Sequence, residues 1–397
     1  MIRKDYLKLF IDKYIHKVCS KIRHGSLSLD VKGKPYEFHG DLEGPSVHLT
    51  INHLSMIWDL YFRGSVGLGE AYIKKKFEAN DLSKFLEFGA LNEKAFGGEM
   101  SGSKFYRLLS KKYMNKTKNS LFQSKKNIHA HYDLGNDFYL EWLDDTLTYS
   151  SGFFKTGSET LSEAQKNKFE SLIKGNEPKP GDHVLEIGSG WGSFAFYLIS
   201  KYPDIKIDTL TISKEQYEFV NSKIKEYQLQ DKLNVIYKDY REHRGKYSRI
   251  YSIEMFEAVG IQYWQTYFEK VKDLLKPSGV FSMQTIVIFE DFFDSYTQKI
   301  DFIQKYIFPG GMLPSVKALE KIATQKKFNF QIKNQMADSY YQTLEMWRNN
   351  FNNKWDKIKN LGYSEDFKRM WNFYLSYCSG GFKAKTIDVY QIDFTNK

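Results

Sequence analysis

A strand, a glycine turn and a helix follow one another directly in the second half of the chain, and this feature most constrains the fold. Residues 183–187 are a short apolar run, residues 188–192 read Gly-Ser-Gly-Trp-Gly, and residues 193–200 are mostly apolar with helical spacing. Glycines at the start of a helix let a ligand approach the backbone N–H groups, because no Cβ stands in the way. The unit predicts a sheet that binds a ligand at the carboxyl ends of its strands.

Further strands are predicted after this unit, separated by helices of ordinary length. The candidates are 205–210, 233–237, 250–253, 280–288 and a half-exposed last strand at 387–394. Strands that alternate with helices favour parallel βαβ units with right-handed crossovers. From about residue 128 onward, the sequence therefore predicts an α/β fold with a doubly wound sheet.

The first 110 residues have a different pattern. An amphipathic helical pattern runs from Tyr6 to Val18, and short alternating segments follow, such as 47–51. They predict a small α+β domain at 1–110. Residues 111–127 contain six lysines and no acid, which is typical of an exposed basic linker or of an arm on an anionic surface. The predicted catalytic domain is 128–397.

Composition narrows the class of protein further. Lysine and arginine exceed the acids by 58 to 48, giving a net charge of +10, which is expected of a protein with a phospholipid or nucleic-acid partner. Codon bias in a low-GC genome would give the same excess, so both explanations stay open. No apolar stretch approaches the roughly 20 residues of a membrane span, and the N-terminus has no signal-peptide core. We expect a cytoplasmic protein.

Two cysteines lie far apart, at positions 19 and 378. This separation argues against a disulfide framework and against a cysteine-based zinc site. No metal site is predicted.

The spacing of the glycines indicates which ligand the turn binds. Glu186 stands two residues ahead of Gly188, and Gly190 and Gly192 follow at alternate positions, whereas dinucleotide-binding turns read G-x-G-x-x-G. This pattern is typical of S-adenosylmethionine methyltransferases. Glu186 is then expected to orient the cationic end of the cofactor while the glycine amides line its cavity. The alternative is a tight turn that binds nothing.

Two further segments are expected to contact the nucleoside. Thr211 ends the second strand, and Gln216 is the candidate for the ribose hydroxyls. The alternative for Gln216 is a capping box with Ser213 at the start of a helix. Tyr240 and Arg241 follow the third strand and are expected either to edge an adenine ring or to belong to a surface loop.

Several motifs, taken together, resemble those of the cyclopropane-fatty-acid synthases, which include the mycolic acid cyclopropane synthases. They are HYDLGNDFY (131–139), LTYSSGFF (147–154), VLEIGSGWG (184–192), TISKEQ (211–216), MFEAVG (255–260), KYIFPGG (305–311), YQTLEMW (341–347) and YCSGGFKA (377–384). The resemblance covers about 128–395, and GLGEAY (67–72) extends it weakly into the front region.

The resemblance implies an activity and a set of partners. The family transfers a methyl carbon from S-adenosylmethionine to the cis double bond of a phospholipid acyl chain, forming a cyclopropane. We therefore expect a phospholipid partner, peripheral association with the inner face of the membrane and no nucleic acid. The front region is associated in the family with lipid access and dimerisation, so a homodimer is expected. Tyr149 and Ser150 are assigned to the cofactor site, and Tyr149 and Tyr340 are expected to face a carbocation.

The resemblance also implies a bicarbonate ion that acts as the base. Its expected holders are Glu257, the backbone amide of Ile286 and Tyr340, with Ser151 and Gln284 at the positions of the family's cysteine and histidine. In addition, residue 254 is glutamate where the best-known members carry glycine. These departures leave two questions open. One is whether bicarbonate binds, and the other is whether the product is a cyclopropane or a methyl- or methylene-branched chain.

Two other functions remain as rivals. One is a small-molecule or nucleic-acid methyltransferase, although no Asn/Asp-Pro-Pro-Tyr motif is present. The other is a lipid-binding protein with a degenerate cofactor site, which the intact glycines argue against. His131, Asp133 and Asn136 are expected to order a helix that closes over the cofactor, with a catalytic role for His131 as the alternative.

Overall fold

The computed structural model describes residues 12–96, 104–121, 123–124, 126–127 and 134–397. His131, Asp133 and Lys125 lie outside the described residues. The helices are α1 (12–19), α2 (Ser55–Ile73), α3 (Leu82–Leu91), α4 (Glu93–Phe96), α5 (Lys104–Lys116), α6 (Asn136–Trp142), α7 (Leu161–Ile173), α8 (Ser193–Lys201), α9 (Lys214–Glu226), α10 (Trp264–Leu274), α11 (Glu290–Tyr296), α12 (Phe302–Tyr306), α13 (Val316–Gln325), α14 (Ala337–Asn353), α15 (Trp355–Asn360) and α16 (Glu365–Lys383). The strands are β1 (His24–Val31), β2 (Lys34–His39), β3 (Leu42–Ile51), β4 (Phe77–Ala79), β5 (His183–Ile187), β6 (Lys206–Thr211), β7 (Leu233–Tyr237), β8 (Tyr247–Ile253), β9 (Leu275–Ile288), β10 (Phe328–Gln335) and β11 (Ile387–Asn396).

The larger sheet has seven strands in the order β10-β11-β9-β8-β5-β6-β7. The five strands from β5 to β9 are parallel, and β11 pairs antiparallel with β9 and β10. Helices connect the parallel strands, so both faces of the sheet are covered, which is why β5 is buried from Val184 to Ile187. The predicted α/β fold with a doubly wound sheet is confirmed.

The prediction for the last strand was wrong in one respect, because β11 is buried and not half-exposed. It lies between β9 and β10, and β10 was not among the predicted strands. The polar residues that suggested exposure are buried with partners instead. Ser282 donates a hydrogen bond to Asp393, and Ser171 donates one to Gln391 at 2.8 Å. The alternating polar residues of β11 are therefore paired with buried partners and do not form a solvent-facing side.

The front region forms a second sheet of four strands, in the order β2-β1-β3-β4. Its apolar residues belong to one hydrophobic cluster with residues of α14 and α16 from the other half of the chain, including Trp347 and Trp371. The helices α3 and α16 approach so closely that a Cβ on Gly380 would lie 2.6 Å from the backbone nitrogen of Glu87. The front sheet thus shares its core with the C-terminal helices.

The segment 111–127 does not form the predicted exposed linker throughout. Its first lysines, Lys111 and Lys112, are exposed on α5, but Asn119 and Asn127 are buried. The Asn119 side chain donates hydrogen bonds to the backbone oxygens of Ala258 and Gly310, at 2.9 and 2.8 Å. These contacts hold part of the segment against the seven-stranded half. Among the helices that the structure describes, none is both long enough and apolar enough to cross a bilayer.

Candidate active site

The glycine turn lies at the carboxyl end of β5 and lines a cavity between the sheet and the segments above it. Gly188, Gly190 and Gly192 have φ angles of 100°, 50° and 87°, in the left-handed region that favours glycine. A Cβ on Gly190 would meet no atom within 4 Å, because it would point into open space. The turn therefore leaves room for a ligand against its backbone at this glycine.

Two ionisable groups are buried near the turn, Glu186, which lines the cavity, and Lys168, which binds Ser150 of the cavity lining. Glu186 accepts a hydrogen bond from Thr209 Oγ1, and burial raises the pKa of its carboxyl to about 8. Lys168 donates to Ser150 Oγ at 2.6 Å, and burial lowers the pKa of its amine to about 7. A cationic ligand in the cavity favours the ionised form of Glu186.

The residues after β6 are arranged around Thr211. Its hydroxyl donates to Gln216 Oε1 at 2.9 Å, and Ser213 Oγ accepts the backbone N–H of Gln216 at 3.3 Å. Ser213 thus caps α9, as the capping alternative predicted, but the Gln216 side chain turns to Thr211. Both Thr211 and Gln216 line the cavity.

Tyr240 and Arg241 also line the cavity. The Arg241 guanidinium binds both carboxylate oxygens of Asp239. It also donates to the backbone oxygen of Asn119 at 2.8 Å and to Ser124 Oγ at 3.1 Å. Arg241 thus fastens the segment around Asn119 and Ser124 beside the cavity, and we assign it a positioning role.

Replacing Arg241 tests this positioning role. In Arg241→Met, we expect the dissociation constant for S-adenosylmethionine, the predicted cofactor, to rise about tenfold, because charge-assisted hydrogen bonds to the segment are lost. Cleavage of residues 111–127 by a protease should also become faster. Calorimetry and limited proteolysis measure the two effects. The control is Arg249→Met, since Arg249 binds the backbone of Asn176 and Ser248. An equal loss of affinity in both variants would contradict the positioning role.

The residues predicted to hold a bicarbonate ion converge on Glu254. Its carboxylate accepts hydrogen bonds from the backbone N–H of Ser151 at 2.9 Å, from Gln284 Nε2 at 2.8 Å and from the hydroxyl of Tyr340 at 2.7 Å. The Ser151 hydroxyl donates to the backbone oxygen of Gly152. Burial raises the pKa of the Glu254 carboxyl. Glu254 lines the cavity together with the glycine turn.

Glu257 lies three residues after Glu254 and accepts a hydrogen bond from the remaining predicted donor. Its Oε1 accepts the backbone N–H of Ile286 and, at 3.0 Å, the hydroxyl of Thr285. Its Oε2 is buried and has no hydrogen-bond partner within the described part of the chain. Burial, with the Glu254 charge in addition, raises the pKa of Glu257 to about 8. Because the expected donors already bind two carboxylates, the residues as arranged do not fit a bicarbonate ion.

Aromatic rings cluster beside these carboxylates, and Tyr149 and Trp191 among them line the cavity. The hydroxyls of Tyr149 and Tyr374 are 2.7 Å apart, and the Tyr149 ring lies 5.3 Å from the ring of Trp347. Trp191 of the glycine turn donates to Asn136 Oδ1 at 2.9 Å. This bond links the turn to α6, the helix that Asn136 was expected to order.

Three residues of this site were missed as functional candidates in the sequence. Lys168 stands at an apolar position of an amphipathic helix and gave no signal. Asp239 was overlooked because its role depends on Arg241. Glu254 was noted only as a departure, although its spacing of three from Glu257 is visible in the sequence.

Comparison with known proteins gives consistent results. A sequence model of the family described as mycolic acid cyclopropane synthetase matches residues 119–392. The tuberculostearic acid methyltransferase UfaA1 of Mycobacterium tuberculosis is 32% identical over 339 residues, which are 83% of this chain and 78% of that protein. The cyclopropane-fatty-acyl-phospholipid synthase of Escherichia coli K12 is 33% identical over 345 residues, or 84% of this chain and 83% of that protein.

Solved structures agree with the sequence comparisons. The mycolic acid cyclopropane synthase CmaA1 complexed with SAH and CTAB has a TM-score of 0.63 and 29% identity, covering 68% of this chain and 97% of that one. The cyclopropane synthase MmaA2 from Mycobacterium tuberculosis has the same TM-score and 27% identity over the same shares. The seven-stranded sheet is therefore that of a class I methyltransferase, and the enzyme uses S-adenosylmethionine. With 274 of its residues, from 119 to 392, matched by the family model, the chain belongs to the mycolic acid cyclopropane synthetase family.

Proposed function

We propose that the enzyme transfers a methyl carbon from S-adenosylmethionine to the cis double bond of an unsaturated phospholipid acyl chain and forms a cyclopropane. The observation that carries this proposal is the pair of half-buried carboxyl groups, Glu254 and Glu257, beside the cofactor cavity. Methylation of a nitrogen or oxygen with a lone pair leaves no carbocation to stabilise. Methylation of an alkene leaves a cation that must lose a proton, and carboxylates stabilise the one and accept the other.

The aromatic cluster supports an alkene substrate. An alkene is a weak nucleophile, so its π-electrons must be held in line with the methyl group in a site without water. The centroid of the Tyr149 ring lies 5.5 Å from that of Tyr139 and 5.3 Å from that of Trp347. Of these three rings, that of Tyr149 lines the cavity, and its face is suited to an apolar chain and to a developing cation. The cofactor supplies the methyl group when it is bound, and these residues exclude water and orient the chain.

The names of the relatives support the lipid class. The relative from Escherichia coli is a cyclopropane-fatty-acyl-phospholipid synthase, and a relative from Pseudomonas putida, 28% identical over 374 residues, is a probable fatty acid methyltransferase. Both names point to S-adenosylmethionine-dependent cyclopropanation or methylation of lipid acyl chains. The phospholipid form of the substrate comes from the first of them.

A second candidate product is a methyl- or methylene-branched acyl chain formed from the same cation. The changed residues at the predicted anion site favour it, since Ser151, Gln284 and Glu254 all differ from the pattern that the resemblance implies. Loss of the proton from the added methyl closes a ring. A 1,2-hydride shift that moves the charge to the methyl-bearing carbon, followed by loss of a proton from the added methyl, leaves a methylene group, whereas loss of a proton from a neighbouring chain carbon leaves a methyl-branched alkene.

Analysis of acyl chains distinguishes the products. The purified enzyme is incubated with S-adenosylmethionine and vesicles of phospholipid with a cis-monounsaturated chain, and the fatty acid methyl esters are analysed by gas chromatography and mass spectrometry. We expect an added mass of one CH₂ group and the retention time of a cyclopropane standard. A methylene-branched ester would support the second candidate, and no added carbon would contradict both.

The membrane is expected to contact α5, the helix with residues Leu108 and Leu109 exposed beside Lys111 and Lys112. In the variant with both Lys111→Gln and Lys112→Gln, we expect association with anionic vesicles to fall about tenfold or more, because each lysine near an anionic surface contributes about 1 kcal/mol. Association of the unaltered enzyme should weaken as salt rises, since the Debye length shrinks. Vesicle co-sedimentation at two salt concentrations measures both effects.

A matched control removes the same charge elsewhere. Lys225 and Lys232 are exposed on the seven-stranded half, and the variant with both changed to glutamine should keep full vesicle association. Equal losses in the two double variants would mean that net charge, and not α5, determines binding. Full activity on a water-soluble short substrate without vesicles would contradict the phospholipid part of the proposal.

A further inference from the structure

Glu254 collects three hydrogen bonds inside the cofactor cavity. Oε1 accepts from the Ser151 backbone and from Gln284, and Oε2 accepts from the Tyr340 hydroxyl. The amide of Gln284 is itself oriented, because its Oε1 accepts from Gln391 at 3.0 Å. All three partners donate to Glu254. Two of the donors, a backbone N–H and an amide nitrogen, can only donate, so Oε1 acts as an acceptor, which suits an ionised carboxylate.

The backbone at Glu254 is held in an unusual conformation. Its φ is 48°, in the left-handed region that favours glycine, and its N–H donates to the backbone oxygen of Gln284 at 2.8 Å. A glutamate keeps such a conformation only where its surroundings determine it, and residues of this kind cluster at functional sites. Here the conformation turns the side chain, directly after β8, into the group of donors described above.

We propose that the Glu254 carboxylate fills the anion position of the site and is the base that removes the proton after methyl transfer; the inference rests on the proposed function. Three residues that the resemblance assigns to bicarbonate, Ser151, Gln284 and Tyr340, bind Glu254 instead. The assigned amide of Ile286 binds Glu257. A free anion would have to displace Glu254 and bring another negative charge next to two half-buried carboxyl groups, which is unfavourable.

The step balances without any further reactant. The π-pair of the alkene forms the bond to the methyl carbon while the carbon–sulfur bond breaks and leaves its pair on sulfur. The neighbouring alkene carbon becomes a cation, whose charge the carboxylate stabilises. Glu254 then takes a proton from the added methyl group, and the C–H electron pair closes the ring onto the cationic carbon. If a 1,2-hydride shift has first moved the charge to the methyl-bearing carbon, the same electron pair forms a methylene double bond. Glu254 ends as the acid and returns its proton to solvent after the product leaves.

The first test is the dependence on carbonate. The unaltered enzyme is assayed on vesicles of unsaturated phospholipid in buffer freed of carbon dioxide, with and without added bicarbonate. We expect the two rates to agree within twofold. A tenfold or greater stimulation by bicarbonate would overturn the proposal.

The second test compares two substitutions of Glu254. Glu254→Gly suits the observed φ and leaves three donors without their acceptor, so turnover should fall at least 100-fold. Bicarbonate, formate or acetate at tens of millimolar should raise the turnover of this variant at least tenfold. Glu254→Gln fills the position without a base, so it should lose turnover to the same extent and gain nothing from these anions. A Gly variant that keeps its turnover in carbonate-free buffer would overturn the proposal.

Thermal unfolding supplies a reading that does not depend on turnover. Formate should raise the Tm of Glu254→Gly and leave the Tm of the unaltered enzyme and of Glu254→Gln unchanged, because only the Gly variant has an open anion position. Equal shifts in all three proteins would overturn the proposal.

If the unaltered enzyme binds S-adenosylmethionine but methylates no unsaturated phospholipid, the proposed function fails, while the formate shift still reports on the anion position. If the enzyme methylates the lipid only when bicarbonate is added, the proposed function stands and only the role of Glu254 as the base is contradicted.

Discussion

Gly190→Val is expected to abolish binding of S-adenosylmethionine, with the dissociation constant rising at least 100-fold. A side chain at Gly190 would point into the open space of the cavity, where no protein atom lies within 4 Å. It would therefore occupy the room in which the cofactor meets the backbone N–H groups of the turn. Isothermal titration calorimetry measures the loss, and circular dichroism checks that the fold is kept.

The substitution also strains the backbone, because Gly190 has a φ of 50° and a β-branched residue there is unfavourable. Gly175→Val is the matched control. Gly175 has a φ of 83°, and a Cβ there would also meet no atom within 4 Å, but it lies at the other end of the sheet, after α7. We expect a similar loss of stability and an unchanged dissociation constant. Unchanged affinity in Gly190→Val would rule out the glycine turn as the cofactor site.

Glu257→Gln is expected to lower kcat at least 100-fold while the dissociation constant for S-adenosylmethionine changes less than threefold. The glutamine keeps the size of the side chain and can still accept from Ile286 and Thr285, but it cannot ionise. The Glu257 carboxyl, whose pKa burial raises to about 8, becomes charged as the pH rises through that value or as a cationic ligand binds. The affected oxygen is the buried Oε2, which has no partner among the described residues. A negative charge held in such a site stabilises a developing cation strongly. Single-turnover kinetics and calorimetry separate the two quantities.

The control for this prediction is Glu345→Gln. Glu345 is half-buried and accepts hydrogen bonds from Ser83, Ser379 and Arg348, away from the cavity. Its replacement should lower the Tm and leave kcat per folded molecule unchanged. A Glu257 variant that behaves like this control would show that Glu257 is structural.

The sequence was sufficient to predict the parts of the fold that local patterns determine. The glycine turn, β5 and β7 were predicted closely, because apolar runs between turn residues mark buried parallel strands. The strands β10 and β11 were harder to predict. Their polar residues are paired across the sheet with side chains such as Ser171 and Ser282, and only the folded chain brings these together.

In the candidate site, too, some residues could be predicted from the sequence and others could not. Glu186 and the glycines lie within one short motif, so spacing alone identified them. The partners of Glu254 come from three distant segments, at Ser151, Gln284 and Tyr340. No sequence period links these residues, and the left-handed backbone at Glu254 is not readable from an isolated glutamate. The resemblance indicated that the position was unusual, but the contacts of Glu254 required the structure.

The close approach of α3 and α16 has a consequence for how the protein unfolds. Since the front sheet and the C-terminal helices bury their apolar residues in one cluster, neither part can open without exposing the other. Denaturation should therefore occur in a single cooperative transition and not in two steps. A bulky residue at Gly380, which faces the backbone of Glu87, would loosen the front sheet and the wall of the active site at the same time.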